Sequence, residues 1–124
     1  MQLRPRLAFT ASRQKGFLIS HLSGDPARYV TVDTMLSSGG STLSFDQVDF
    51  IGSQSEKALA FHLTVGSARK DQSMQDVLTV LFSGSKTGIT YPVTVRYRWN
   101  DDQLEENFSL RWERDTGVFV VGPR

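Results

Sequence analysis

An all-β domain built as an antiparallel β-sandwich over residues 1–124 is the fold this sequence predicts, on three observations. Apolar residues recur at every second position through most of the chain, the period of a strand with one buried face. Turn-forming residues cluster between those runs, in "SGDP", "SSGGS", "GSQS", "GSARKDQ", "SGSKTG", "NDD" and "RDTG", at the spacing of sandwiches and barrels. The third observation is size without staples. A chain of 124 residues, 39% apolar and free of cysteine, must be held by a packed core, because neither disulfides nor cysteine-bound zinc can contribute.

Taken in order, "LAFTAS" (Leu7 to Ser12) and "GFLISHLS" (Gly16 to Ser23) are strands separated by "RQK". "ARYVTVDTML" alternates Val30, Val32 and Leu36 against Tyr29, Thr31 and Asp33, and "SSGGS" ends it. In "TLSFDQVDFIG", Leu43 and Phe45 are out of phase with Val48 and Phe50, which predicts a bulge near Asp46-Gln47. "KALAFHLTV" reads as one strand, with Leu59, Phe61, Leu63 and Val65 inward and Ala58, Ala60, His62 and Thr64 outward. Residues 71–82 fit two descriptions. Met74, Val77, Leu78 and Leu81 form a helical stripe with Asp71 or Ser73 as cap, while the β-branched Val77, Thr79 and Val80 favour a central strand, which is the reading propensity selects.

The C-terminal third is the most regular. "GITYPVTVRYRWN" sets Ile89, Tyr91, Val93, Val95, Tyr97 and Trp99 on one face and Thr90, Pro92, Thr94, Arg96 and Arg98 on the other. With Asp101 and Asp102 at the turn, "QLEENFSLRWER" places Trp99 against Leu104, Val95 against Phe108, Val93 against Leu110 and Tyr91 against Trp112. The same register pairs Arg98 with Glu105, Arg96 with Asn107, Thr94 with Ser109 and Thr90 with Glu113, and leaves Glu106 opposite Tyr97, within reach of water near the tip. "RDTGVFVV" closes a second hairpin through a three-residue loop with Gly117 left-handed, so the chain ends in a three-stranded meander. Val93, Val95, Phe108, Leu110, Trp112, Leu59, Phe61 and Leu63 are the predicted core.

Pro92 bears on function. Proline has no N–H for a ladder, so strand 88–100 is predicted to be open along part of one side. Open edges accept extended partners as added strands. Pro92, Thr94, Arg96 and Arg98 are therefore the candidate partner-binding residues, for a protein partner or a second copy, with the arginines selecting an acidic or polar sequence; the alternative is an idle edge on which Pro92 only blocks aggregation and the arginines form the solvated face of a half-buried sheet.

Other chemistry finds less support. His21 and His62 are the two imidazoles; with Asp33 or Asp49 they supply metal-ligand types but no recognised spacing. No nucleophile elbow occurs, and the glycine-bearing loops lack the lysine and helix of a phosphate cradle. Asp101, Asp102, Glu105 and Glu106 crowd a hairpin tip without the spaced oxygens of a calcium loop. Arginines next to aromatics in "YRW" and "RWER" have the composition of a nucleic-acid stacking platform but not its phase: Tyr97, Trp99 and Trp112 face one way, Arg96, Arg98 and Arg111 the other. A net charge of +1 also argues against nucleic acid. No run approaches the roughly 20 apolar residues of a transmembrane helix, and no signal-peptide core follows the first arginines.

The expectation is a non-enzymatic structural or protein-interaction module without cofactor, part of an extracellular, envelope or virion assembly, binding through an exposed sheet edge. Its general build is that of immunoglobulin-like or jelly-roll-like sandwiches. A small closed β-barrel holding an apolar small molecule is the alternative.

Overall fold

Thirteen elements appear in the computed structural model, which describes residues 3–37, 39–66, 68–70, 73–82 and 89–123. In chain order they are β1 (Arg6–Ser12), β2 (Gly16–Ser23), β3 (Ala27–Val32), β4 (Met35–Leu36), β5 (Thr42–Phe45), β6 (Val48–Ile51), β7 (Glu56–Ala58), β8 (Phe61–Val65), β9 (Ala68–Lys70), α1 (Met74–Leu81), β10 (Thr90–Trp99), β11 (Asp102–Glu113) and β12 (Val118–Pro123). They form three antiparallel sheets, ordered β1-β2-β7, β12-β11-β10-β3-β6 and β4-β5-β8-β9. Phe17 of the first sheet packs its ring against Phe45 and Phe61 of the third and Phe119 of the second, at 5.2, 5.4 and 6.3 Å between centroids. One hydrophobic cluster therefore serves all three sheets. The predicted all-β sandwich is the fold observed. The alternative is not: among the described residues each sheet ends in edge strands and no barrel closes.

Of the predicted core, Val93, Val95, Leu110, Leu59, Phe61 and Leu63 are buried, and Phe108 and Trp112 pack half-buried against them. Three elements read as continuous are divided, however, because the chain changes sheets inside them. "ARYVTVDTML" splits into β3 and β4, and the change of phase buries Met35 and exposes Leu36, the reverse of the expectation. At Asp46-Gln47 the predicted bulge is instead the crossing from β5 in the third sheet to β6 in the second. "KALAFHLTV" breaks at Leu59-Ala60 between β7 and β8. Alternation can continue through such a crossing when both sheets bury their residues in the same core, so periodicity alone does not reveal it.

The segment read as a central strand over 71–82 is helical where it is described. Val77, Leu78 and Leu81 are buried, Met74 packs against them, and Ser73 caps the first turn by accepting from the Asp76 N–H at 3.1 Å. The stripe at i, i+3, i+4, i+7 gives a helix a complete apolar face, and this packing outweighs the mild strand preference of three β-branched residues. At its far end the Tyr91 hydroxyl donates to the Leu81 carbonyl at 2.6 Å. Asp71 and Gln72, Ser38 of "SSGGS", Ser67 and the turn predicted over 83–88 lie outside the described residues.

In the meander the predicted faces hold but the register differs. Trp99 lies opposite Asp102, Tyr97 opposite Leu104, Val95 opposite Glu106 and Val93 opposite Phe108, a shift of two residues from the expected pairing. The loop is Asn100-Asp101, with Asn100 in the left-handed region at φ 56°. Asparagine tolerates that conformation better than most residues, and sliding a two-residue loop back by one residue moves the register by two. Because strand periodicity is also two, no side chain changes face. Gly117 is left-handed as expected, at φ 68°, in a loop that the pairing makes four residues long.

Candidate functional site

Strand β10, which carries the four candidate residues, is central. β11 flanks it on one side; on the other, β3 pairs with Val95, Arg96 and Arg98, and the Asp33 N–H donates to the Thr94 carbonyl. The open edge predicted there is thus closed from Thr94 to Arg98. The Thr94 contact shows that even-numbered residues of β10 direct their main-chain groups towards β3. Pro92 falls where β3 has already ended at Val32, so its missing N–H deprives no laddered neighbour. Thr94 is occupied twice, its hydroxyl also donating to Asn107 Oδ1 at 2.9 Å.

The register shift divides the two arginines. Arg96 meets Asp33 through two hydrogen bonds, at 3.0 and 3.1 Å, and Glu105 at 3.1 Å. Arg98, expected to pair with Glu105, instead lies opposite Gln103 on one side and Arg28 on the other. No ion pair to Arg28 or Arg98 is present among the described residues. Arg28 lies over the ring of Phe50, its opposite number on β6, at 5.2 Å from the centroid. Beside it the β10–β3 register shifts, and Tyr29 takes φ 53° with its side chain half-exposed. These residues line an open pocket of about 570 Å³ with Trp99 and the Asn100-Asp101 turn. Arg98 is among the residues the sequence singles out, at a sheet edge rather than in a pocket; Arg28 and Phe50 come from strands whose pairing the sequence does not show.

A second concave region, of about 490 Å³, lies between the outer strands β1 and β12. On β2, the His21 N–H donates to Ser55 and the Phe17 carbonyl accepts from Leu59, so these residues face β7. Their opposite numbers Leu7 and Ala11, with Phe9 between them, consequently turn their main-chain groups away from β2 towards the groove. No ladder joins β1 to β12. Instead the Leu7 N–H donates to Glu106 Oε2 at 3.0 Å. Burial raises the Glu106 carboxyl above its ordinary range, although this hydrogen bond and nearby Arg4 and Arg6 act the other way. Sequence reasoning left Glu106 at a wet tip; the register places it half-buried beside β1. Tyr97 is fully buried and donates to the Pro5 carbonyl at 3.1 Å, which fastens the start of β1 to β10.

The histidines do not come together. His21 is buried, its Nδ1 accepting from the Gln54 N–H at 3.0 Å and its Nε2 bonded to the Asp25 carbonyl at 2.7 Å, which assigns the ring proton to Nε2. His62 contacts Asp46 at 2.9 Å, Asp33 is held by Arg96, and Asp49 accepts from Gln47. The acidic tip is likewise dispersed, with Glu105 on the arginine face and Glu106 against β1. Among the described residues no group of three or more His, Cys, Asp or Glu could hold a metal ion, and no helix is long and apolar enough to cross a membrane.

In comparison with known proteins, no family model, curated protein or solved structure gives a significant match to this chain.

Proposed function

We propose that the protein is a non-enzymatic interaction module that captures an extended polypeptide segment, from a partner or a second copy, at the outer edge of β1, and that it works as part of a larger assembly. The observation that carries this reading is the hydrogen bond from the Leu7 N–H to Glu106. An outward-facing edge amide is met there by a side-chain oxygen in the position where an added strand would present a carbonyl. Leu22, Phe108 and Val121 supply apolar surface for side chains of such a strand, and Arg6 stands at its rim. The binding residues of this reading are therefore not Pro92, Thr94, Arg96 and Arg98 but those of the β1 edge.

Peptides selected from a random display library on the immobilised protein provide the test. A bound peptide is expected to slow amide exchange at Phe9 and Ala11, and Val121→Arg, which fills the groove, is expected to abolish binding without loss of fold. Sedimentation of the protein alone covers the second-copy case, with any dimer abolished by the same substitution. Peptides that protect another region, or binding and sedimentation unchanged by Val121→Arg, would rule the edge out.

A further inference from the structure

The exposed face of the five-stranded sheet contains an arrangement that stability does not explain. One cross-strand row reads Gln103, Arg98, Arg28, Phe50 across β11, β10, β3 and β6. Two arginines thus stand directly opposite each other in the ladder, an unfavourable pairing of like charges. Two residues along the same strand, Arg96 has both Asp33 and Glu105. Arg28 and Arg98 have neither. Arg28 is steadied by the Phe50 ring rather than by a carboxylate, which leaves the N–H edges of its guanidinium open to an oxyanion.

The aromatic half of the arrangement carries strain. Tyr29 is a bulky residue at positive φ beside the register shift, and it lines the same pocket as the two arginines. Its 50% exposure and the 44% of Phe50 make them two of the few large apolar side chains left in water. Rings and guanidinium groups therefore occupy one exposed side, the condition that the sequence failed to meet with Tyr97, Trp99 and Trp112. Of the two acids on the pocket wall, Asp25 is taken by the Trp99 indole N–H at 3.0 Å. Asp101, bound to neither arginine, is an acceptor available to a sugar hydroxyl.

We infer that the Arg28–Arg98 pocket binds a nucleotide unit, its phosphate held between the two guanidinium groups and its base against Tyr29. A paired guanidinium site matches a multiply charged phosphate, and the adjoining exposed ring adds a stacking surface for a planar base that an acidic peptide would not use. The pocket's volume of about 570 Å³ lies within the size range of small-ligand sites. Free nucleotide and single-stranded nucleic acid offer this same chemistry.

The test measures binding of inorganic phosphate, a nucleoside monophosphate and a single-stranded hexanucleotide at low salt by calorimetry, with an oligoglutamate peptide alongside. The monophosphate is expected to bind more tightly than phosphate and to weaken as salt rises. A hexanucleotide that binds no better than the monophosphate identifies a free nucleotide, and one that binds much better identifies a strand. Arg28→Ala and Arg98→Ala should each weaken nucleotide binding by about tenfold, the loss of one charge-assisted contact, while Arg96→Ala should change it far less. Tyr29→Gly removes ring and strain together, so it should raise the melting temperature while reducing nucleotide affinity to that of phosphate. No binding by any nucleotide, equal losses at Arg96 and Arg98, or tighter binding of oligoglutamate than of the hexanucleotide would each overturn the inference. None of these variants touches the β1 edge, so failure here leaves the edge reading intact.

Discussion

Glu106 shows how one residue can contribute through its surroundings rather than its type. It faces the core side of β11, and its carboxylate is kept there by the Leu7 N–H at some cost of burial, which raises its affinity for a proton. The sign follows from linkage. A carboxyl with a raised value in the folded state contributes stability that is fully present below its ordinary value of 4.5 and is lost as pH rises through the raised one. Glu106→Gln keeps an acceptor for Leu7 and removes the titration. Denaturant unfolding from pH 4 to pH 8 is expected to show this part of the pH dependence in the native protein and not in the variant. An unchanged profile would mean that the carboxyl is effectively solvated.

At the scale of elements, α1 and the Asn100-Asp101 turn each depend on a few local contacts. Ser73 accepts from the Asp76 N–H and donates its own hydroxyl to the Asp76 carboxylate at 2.9 Å. A helix of eight residues has little intrinsic stability, so cap and apolar face together hold it. Ser73→Ala is expected to lower unfolding free energy by about 1 kcal/mol, with most of it restored by Ser73→Asn, as measured in urea. The turn is the element that sets the meander's register: Asn100 accepts the left-handed conformation, and Arg98 thereby comes to face Gln103 rather than Glu105.

For the whole molecule the decisive feature is that three sheets share one core. Phe17 touches rings from each of the other two sheets, so its removal weakens every interface together. Phe17→Ala is expected to cost about 3–5 kcal/mol. The loss should appear as one transition, with circular dichroism and tryptophan fluorescence coinciding. Two separated transitions would show that the sheets unfold independently.

By itself the sequence determined the fold class, most of the core and the face on which each meander residue lies, because period-two alternation records burial one residue at a time. Met74, Val77, Leu78 and Leu81 carried the helix as well, although strand propensity obscured it. What the tertiary structure alone decided is which strand stands beside which. The crossings at Asp46-Gln47 and Leu59-Ala60 send neighbouring residues to different sheets. Closure of β10 by β3 removed the edge expected at Thr94 to Arg98, and the unladdered approach of β1 and β12 supplied another. The row of Arg98, Arg28 and Phe50 joins residues from three strands far apart in the chain. Such neighbours are set by long-range pairing and by the sliding of a single turn, to which a periodicity of two is indifferent.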